Sequence, residues 1–450
     1  MTLSKEAIHQ TLAIIPVGFN ELAMGLGNGW LAPTLKKLQD TTDEIPLTIE
    51  QCSWIGSLHE FGRFFGPLFL ALILDKLGRK ILLIFCAFVF FAMWLVLLYT
   101  KSVTVLYVTR FIFGIGIGIC DVTSSIYLGE NCSPKYRGIF SSITVISFYV
   151  GMLLEFYLAT YLSYETVIII NLIVALVGLL SSFFLKETPH FLMLRENFVD
   201  AGITLQWLKG SILWNDVHDE FEQIKHNVAE EKSKSSFHEL YSTPANYKSI
   251  TIGFVLNLLI MSTGYATIIA FASLIFPPST LLSPYGFTIF YGIDQLIAVC
   301  VSIFVIERFD RRVLILFAFS MFAIIHACTA SLYYFHDAIS SSELYPWLIF
   351  STVTAYGSIY TFAYPVIHII RGELFPQSVR VVGSCLAIMA HSGMGFLSAK
   401  TFLMVDTYLG IYTNFIIFSG VSIVGFIYTY FFLPETRGKT LLDIQKLFVK

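Results

Sequence analysis

The sequence predicts an all-α polytopic membrane protein, with twelve transmembrane helices in two pseudo-symmetric six-helix halves and a cytoplasmic linker between them. Three observations carry this. The chain is 56% hydrophobic and only 13% charged, where a soluble domain is about 45–50% apolar and about 25% charged. About twelve runs reach the roughly 20 apolar residues that a bilayer crossing takes. A short charged turn, Asp75-Lys76-Leu77-Gly78-Arg79-Lys80, returns about half a chain later as Glu307-Arg308-Phe309-Asp310-Arg311-Arg312, again between apolar runs. Similar turns at corresponding places point to a duplicated bundle.

In order, the runs lie near 11–34, 52–74, 81–100, 103–128, 139–162 and 166–185, then near 250–276, 285–306, 313–334, 346–370, 382–403 and 410–433. The organisation is therefore an N-terminal six-helix half over 1–185, a cytoplasmic linker with short helices over 186–248, and a C-terminal six-helix half with a short cytoplasmic tail over 249–450. Gly78 lets the first charged turn reverse sharply while its basic side chains stay in water. Lys and Arg in short loops set the orientation. One side carries Lys76, Arg79, Lys80, Lys135, Arg137, Arg308, Arg311, Arg312, Arg380, Arg437 and Lys439, and the other little beyond Lys36, Lys37 and Lys101. The first side is cytoplasmic, so both termini and the linker lie inside, and a multi-pass plasma-membrane protein is expected. Asn131-Cys132-Ser133 then faces the cytosol and should escape glycosylation. The first run continues past Trp30 without a small-residue cleavage site and is expected to stay as the first span. The seven cysteines lack metal or disulfide spacing and read as buried free thiols.

In the linker, Val217, Phe221, Ile224 and Val228 fall at helical spacing among acids and lysines. Short amphipathic helices on the inner membrane face fit this pattern, and so does a solvated connector with helical turns.

Charge inside a span needs a reason, because it costs roughly 2.5–3.5 kcal/mol at mid-membrane on insertion scales. The first span has Asn20 and Glu21; the second His59, Glu60 and Arg63; the fourth Arg110 and Asp121; the eighth Asp294 and Gln295; the tenth His368; the eleventh His391. They point to a polar cavity between the halves. The bland alternative is pairwise neutralisation inside the bundle, such as Arg63 with Glu60 or Arg110 with Glu21. Gly114, Gly116 and Gly118, and likewise Gly25, Gly27 and Gly29, mark helices that approach closely. No strand precedes either set, so neither is a nucleotide loop.

Several motifs then stand in order. D-x-x-G-R-[RK] is Asp75 to Lys80, and R-x-x-x-G-x-G-x-G is Arg110, Gly114, Gly116 and Gly118. E-x-x-x-P-x-x-x-R-G is Glu130, Pro134, Arg137 and Gly138. Lys186-Glu187-Thr188-Pro189-His190-Phe191-Leu192 stands for P-E-S-P-R-W-L. E-x-F-P is Glu373, Phe375 and Pro376, and P-E-T-[KR]-G is Pro434 to Gly438. In these the chain resembles the sugar porter family of the major facilitator superfamily over nearly its whole length. Gly29-Trp30-Leu31-Ala32-Pro33, Ser53-Trp54-Ile55 and Leu205 to Gly210 resemble its insect trehalose-transporter-like members. The resemblance implies alternating access, two halves rocking about a central site. It implies a cytoplasmic gate in which Glu373 pairs with Arg137 and Arg380 with Glu130, completed by Asp75, Arg79, Glu187, Glu307, Arg311, Arg312 and Glu435.

The sugar-reading surface departs from the family. Its fifth-helix glutamine position is Val145. Its seventh-helix glutamine pair falls on Ile260 and Met261, and its asparagine on Ala266. Gln295 keeps an amide in the eighth, while His368 replaces the tenth-helix tryptophan and His391 the eleventh-helix asparagine. Each buried polar group left unpaired costs about 1–3 kcal/mol, so these losses remove much of the recognition of a hydroxyl-rich ligand. The substrate site is expected at Gln295, Asp294, His368, His391 and Thr144. Sugar, such as trehalose or a hexose, is the leading substrate. The alternatives are a non-sugar solute met by two imidazoles, or a non-transporting nutrient sensor on the same fold. Proton-coupled relatives place an acid opposite the fourth-span arginine. That position is Leu26 here, and Glu21 with Arg110 is the remaining candidate pair, so facilitated diffusion is favoured. No nucleophile–base spacing argues for an enzyme, and the histidines are too far apart in sequence to argue a metal. The expected partners are a small solute and the lipid bilayer, with no cofactor, no nucleic acid and a monomeric chain.

Overall fold

The computed structural model describes residues 5–40, 47–100, 102–211, 213–234, 243–306, 308–375 and 379–439. The first six spans are α1 (Lys5–Gly29), continued past Trp30 by a short α2 (Leu31–Asp40), then α3 (Ile49–Leu77), α4 (Arg79–Tyr99), α5 (Val103–Asn131), α6 (Pro134–Tyr161) and α7 (Tyr164–Ser182). Three short helices follow: α8 (Pro189–Leu194), α9 (Phe198–Lys209) and α10 (His218–Lys234). The seventh span is broken into α11 (Pro244–Met261) and α12 (Tyr265–Ile275). The last five are α13 (Pro284–Ile306), α14 (Arg311–Tyr334), α15 (Leu344–Leu374), α16 (Arg380–Leu409) and α17 (Ile411–Phe432). Ten of these segments, with α11 and α12 taken together, are long and apolar enough to cross a membrane. The other two expected spans are α1, 25 residues carrying Asn20 and Glu21, and α15, 31 residues carrying Tyr345, Tyr356, Tyr360 and Tyr364. Their polar side chains dilute the hydropathy, not the helix.

Local chemistry sets the breaks. Thr48 and Gln51 form a reciprocal capping box at the start of α3. Ser163, Thr188 and Thr243 accept backbone N–H bonds at the starts of α7, α8 and α11. Between α11 and α12, Gly264 takes φ +98, a conformation open to glycine at little cost, and the Phe418 ring occupies the place of a side chain there.

The helices pair by a repeated rule. In the first half α1 packs on α6, α3 on α5, and α4 on α7 and α5. In the second, α11 packs on α16, α13 on α15, and α14 on α17 and α15. Counted along each half, these are the same pairs, as a pseudo-twofold arrangement requires. The halves meet along α3 against α16 and α6 against α13, which are also mates under that symmetry.

The linker resolves the two readings of its apolar stripe. Val217, Phe221 and Val228 are buried in a small core with Met193, Ala201 and Leu205. The stripe closes a three-helix cluster onto itself. His9 stacks on Trp207 at 5.0 Å, and Lys209 lies 3.5 Å from Glu6 and 2.8 Å from Glu220, which fixes α9 to the start of α1. None of the seven cysteines is in a disulfide; five are buried, while Cys300 and Cys328 are exposed.

The glycines of α3 and α5 form a seam. A Cβ on Gly114 would sit 2.0 Å from the His59 carbonyl oxygen, and one on Gly62 would sit 2.0 Å from that of Phe111. Backbone meets backbone, so no side chain can yield. Gly114→Val is therefore expected to destabilise the protein by more than the 1–3 kcal/mol typical of overpacking and to remove the monodisperse peak in detergent chromatography. Gly138→Ala, with nothing within 4 Å of its Cβ, should change the melting temperature little.

Candidate functional site

A buried charged network lies where the halves meet. Arg63 on α3 donates to Asp121 on α5 through Nε at 2.9 Å and Nη2 at 2.5 Å. Its Nη2 also reaches the Tyr364 hydroxyl on α15 at 3.4 Å, and its Nη1 lies 3.8 Å from Glu60 Oε1. Glu60 in turn is 3.2 Å from His59 Nε2. The Tyr364 ring is flanked by His368 at 4.4 Å and His391 at 4.9 Å. His368 Nδ1 takes a hydrogen bond from Arg371. Side chains from α3, α5, α15 and α16 thus converge on one tyrosine, and Arg63 and Asp121 keep some solvent access. Glu21 has Ser124, Asp121 and Arg63 as neighbours.

The predicted substrate residues do not all meet there. His368 and His391 share the network. Gln295 is fully buried one layer away, and the amide orientation that satisfies its surroundings donates to the Gly357 carbonyl at 3.2 Å and Thr361 Oγ1 at 2.5 Å and accepts from the Ser358 N–H at 3.2 Å. Its neighbour Asp294 accepts from Ser358 Oγ at 2.6 Å. Thr144 donates to the Ser141 carbonyl of its own helix at 2.9 Å. The layer between is aromatic. Tyr265 stacks on Tyr360 at 3.7 Å, Tyr360 on Tyr364 at 5.8 Å, and Tyr149 on α6 reaches the Tyr265 hydroxyl at 3.3 Å. Nor does Glu21 meet Arg110. Arg110 instead donates to the Gly27 carbonyl at 2.8 Å and lies over the Trp30 ring at 5.6 Å. A backbone carbonyl and an indole face meet it, while its Nε and Nη2 are buried without a hydrogen-bond partner.

The two ends of the interface differ. At the end away from the charged turns, Lys400 on α16 donates to Ser53 Oγ on α3 at 2.7 Å and stands 4.1 Å over the Trp54 ring. Phe396 packs on Phe61 at 4.7 Å, and Ser273 donates to the Ala32 carbonyl. At the charged-turn end the gate residues pair inside their own halves. Arg79 contacts Glu130 at 3.0 Å and Asp75 at 3.3 Å, and His190 lies 3.4 Å from Glu130. Arg311 lies 3.7 Å from Glu373, which also accepts from Thr436 Oγ1 at 2.6 Å. Arg137 donates to the carbonyls of Gly129 and Cys132, and Arg380 to that of Phe375. Among the described residues no ion pair crosses the halves at this end, so the expected pairs Glu373–Arg137 and Arg380–Glu130 are not formed in this structure. Glu307 lies outside the described residues.

Glu187 and Glu435 act as caps. Glu187 accepts from the Arg79 and Lys80 N–H groups at 3.1 and 3.2 Å, at the start of α4. Glu435 accepts from those of Arg311 and Arg312 at 3.1 and 3.0 Å, at the start of α14. Each carboxylate meets the unsatisfied N–H groups and positive end of a helix dipole. Arg312 donates instead to the Tyr430 carbonyl, at 2.6 Å. Burial pushes the Glu435 carboxyl up, but the N–H groups of Arg437, Arg312, Arg311 and Thr436 outweigh it and hold its pKa below the ordinary value. At Glu187 burial wins and the pKa is raised.

Sequence reasoning missed Arg371, Lys400 and the tyrosines. The signal was present: Tyr356, Tyr360 and Tyr364 recur every four residues on one face of an apolar span, and Arg371 follows His368 by one turn.

A profile of the sugar (and other) transporter family matches residues 26–448. The chain belongs to that family. Among curated relatives, the facilitated trehalose transporter Tret1 of Apis mellifera ligustica is 24% identical over 98% of this chain and 88% of its own. Tret1 of Anopheles gambiae is 25% identical over 97% of this chain, which spans about half (56%) of that longer protein. Sugar transporter ERD6-like 6 of Arabidopsis thaliana is 24% identical over 98% of this chain and 91% of its own. Two solved structures of the E. coli xylose transporter XylE share the fold. The partially occluded inward-open form aligns with TM-score 0.79 at 18% identity over 96% of this chain and 100% of that one. The inward-open form aligns at 0.78 and 19%, over 96% and 98%. The chain therefore has the twelve-helix major facilitator fold of a sugar transporter family, a family of transporters rather than of enzymes.

Two predictions follow from the ends of the interface. Lys400→Met removes a cation–π contact of about 0.5–2 kcal/mol and a hydrogen bond, so cysteines placed near residue 53 should become more reactive to impermeant maleimides. Glu435→Ala should cost about 1–2 kcal/mol near neutrality, by analogy with a lost N-cap. Because the folded-state pKa is depressed, this contribution is present above the unfolded value of about 4.3 and is lost as pH falls through the lower folded one. Melting curves of variant and parent should therefore converge in acid.

Proposed function

We propose that this protein moves a small solute across the plasma membrane by alternating access, with both termini in the cytosol. One observation carries the reading. The halves are held together by side chains at the end away from the charged turns, while among the described residues every gate pair formed at the charged-turn end stays within one half. Such an interface suits a molecule that rocks, because neither half has to break its own ion pairs to separate from the other. The arrangement fits a chain whose central site faces the cytosol. Closing it brings Glu373 toward Arg137 and Arg380 toward Glu130. Each exposed pair is worth about 0–1 kcal/mol, and several together bias an equilibrium of a few kcal/mol.

The leading substrate is a sugar such as trehalose or a hexose, as in the relatives' names, and the chain works as a monomer. Facilitated diffusion is favoured over proton coupling, because Glu21 has Ser124, Asp121 and Arg63 as neighbours while Arg110 donates to a carbonyl and lies over an indole. A second reading, a solute other than a neutral sugar, is favoured by one observation: the retained amide, Gln295, has its hydrogen bonds filled by α15.

Purified protein in liposomes, offered labelled trehalose, glucose and a panel of small solutes, tests the proposal. Uptake that equilibrates without acidifying the lumen supports it. Accumulation above the outside concentration refutes facilitated diffusion, and no flux for any solute refutes transport. A Glu21→Gln variant is expected to keep the parent's dependence of uptake on pH.

A further inference from the structure

Two buried arginines form no ion pair among the described residues, Arg110 and Arg371, whereas Arg79 has two carboxylates and Arg63 has Asp121. Arg110 keeps a carbonyl and an indole face, with Nε and Nη2 unpartnered, and lies away from the histidines; Arg371 lies beside them. Arg371 is only 5% exposed, yet among the described residues its one hydrogen-bond partner is His368 Nδ1 and it forms no ion pair; its Nη1 is buried without a partner. The carboxylates of the network face other groups, though Glu60 Oε2 is buried without a hydrogen-bond partner. Asp121 Oδ2 holds two nitrogens of Arg63, and Glu60 Oε1 faces His59 and Arg63. A guanidinium cannot give up its proton in a protein and calls for an anion when buried.

Its neighbours extend the pattern. Because His368 Nδ1 accepts from Arg371, the neutral ring carries its proton on Nε2, a donor that is also buried without a partner. His391 turns to the backbone of Asn257, and its Nδ1 is buried and unpartnered. With the proton on the other nitrogen toward that carbonyl, Nδ1 is an acceptor. Two donors for an anion and one acceptor for a hydroxyl thus stand around Tyr364, against which both rings pack.

We propose that the transported solute is a hydroxylated carboxylate, a sugar acid or similar small hydroxy acid, whose carboxylate is bound by Arg371 and His368 and whose hydroxyl is bound by His391. This rests on the transporter reading and takes up its second solute class, a solute other than a neutral sugar. A hydrogen bond from a guanidinium to a carboxylate is charge-assisted and stronger than one to a neutral hydroxyl, so it favours the acid over a neutral sugar.

The test uses the full-length protein in detergent with matched probes: D-glucuronate against D-glucose, and D-gluconate against sorbitol. Each acid is expected to bind at least about ten-fold more tightly than its neutral partner by calorimetry and to raise the melting temperature where the partner does not. Arg371→Gln should abolish the preference, and Arg371→Lys should restore part of it. If Arg371→Gln fails to fold, the parent preference and its partial retention in Arg371→Lys decide. Equal binding of acid and neutral partner, no binding of either acid, or an unchanged preference in Arg371→Gln overturns the proposal; the last would make Arg371 a gate contact only. Failure of the two readings separates cleanly. Neutral sugars moved without acid preference sink this inference and leave transport standing, whereas acid binding without flux in liposomes sinks transport and leaves the site.

Discussion

A charge inside a bilayer has no water to turn to, and the rest of this structure follows from that constraint. Isolated, it costs several kcal/mol, so it survives only where other protein groups meet it. The chain meets the demand locally wherever it can. Arg110 takes a carbonyl and an indole, Gln295 takes three groups of one helix, and Glu187 and Glu435 take helix N-termini. At the seam between halves Arg63, Asp121, Glu60, Tyr364 and the two histidines gather; the charges pair within their own half, and the Arg63–Tyr364 hydrogen bond crosses between halves.

The architecture was legible from the residues alone because its cues are periodic and covalent. Runs of about 20 apolar residues, a duplicated charged turn and loop lysines depend on distance along the chain. The matched helix pairs, α3 on α5 with α13 on α15 and α4 on α7 with α14 on α17, bear this out. The ends of the elements were less legible. The break at Gly264 follows from one left-handed residue inside an apolar run, and nothing in the hydropathy marks it.

Side-chain pairing was the least legible part. Glu21 and Arg110 are suitable partners by chemistry, but which face of α5 each neighbour presents is decided by helix rotation. Lys400 was overlooked because it sits near a span's end and reads as a loop charge; only the crossing of α16 on α3 puts it over Trp54. The expected gate residues carry opposite charges, yet the pairs described form within one half rather than across the halves. A sequence lists the acids and bases available without saying which of them meet.

The paired carboxylate caps have a mechanical side. Glu187 follows the sixth span and grips the start of the third, and Glu435 follows the twelfth and grips the start of the ninth. Each bundle is thereby hooped at its charged-turn end by a strap from its own last strut. Such a hoop resists splaying of the bundle it belongs to and ties neither bundle to the other.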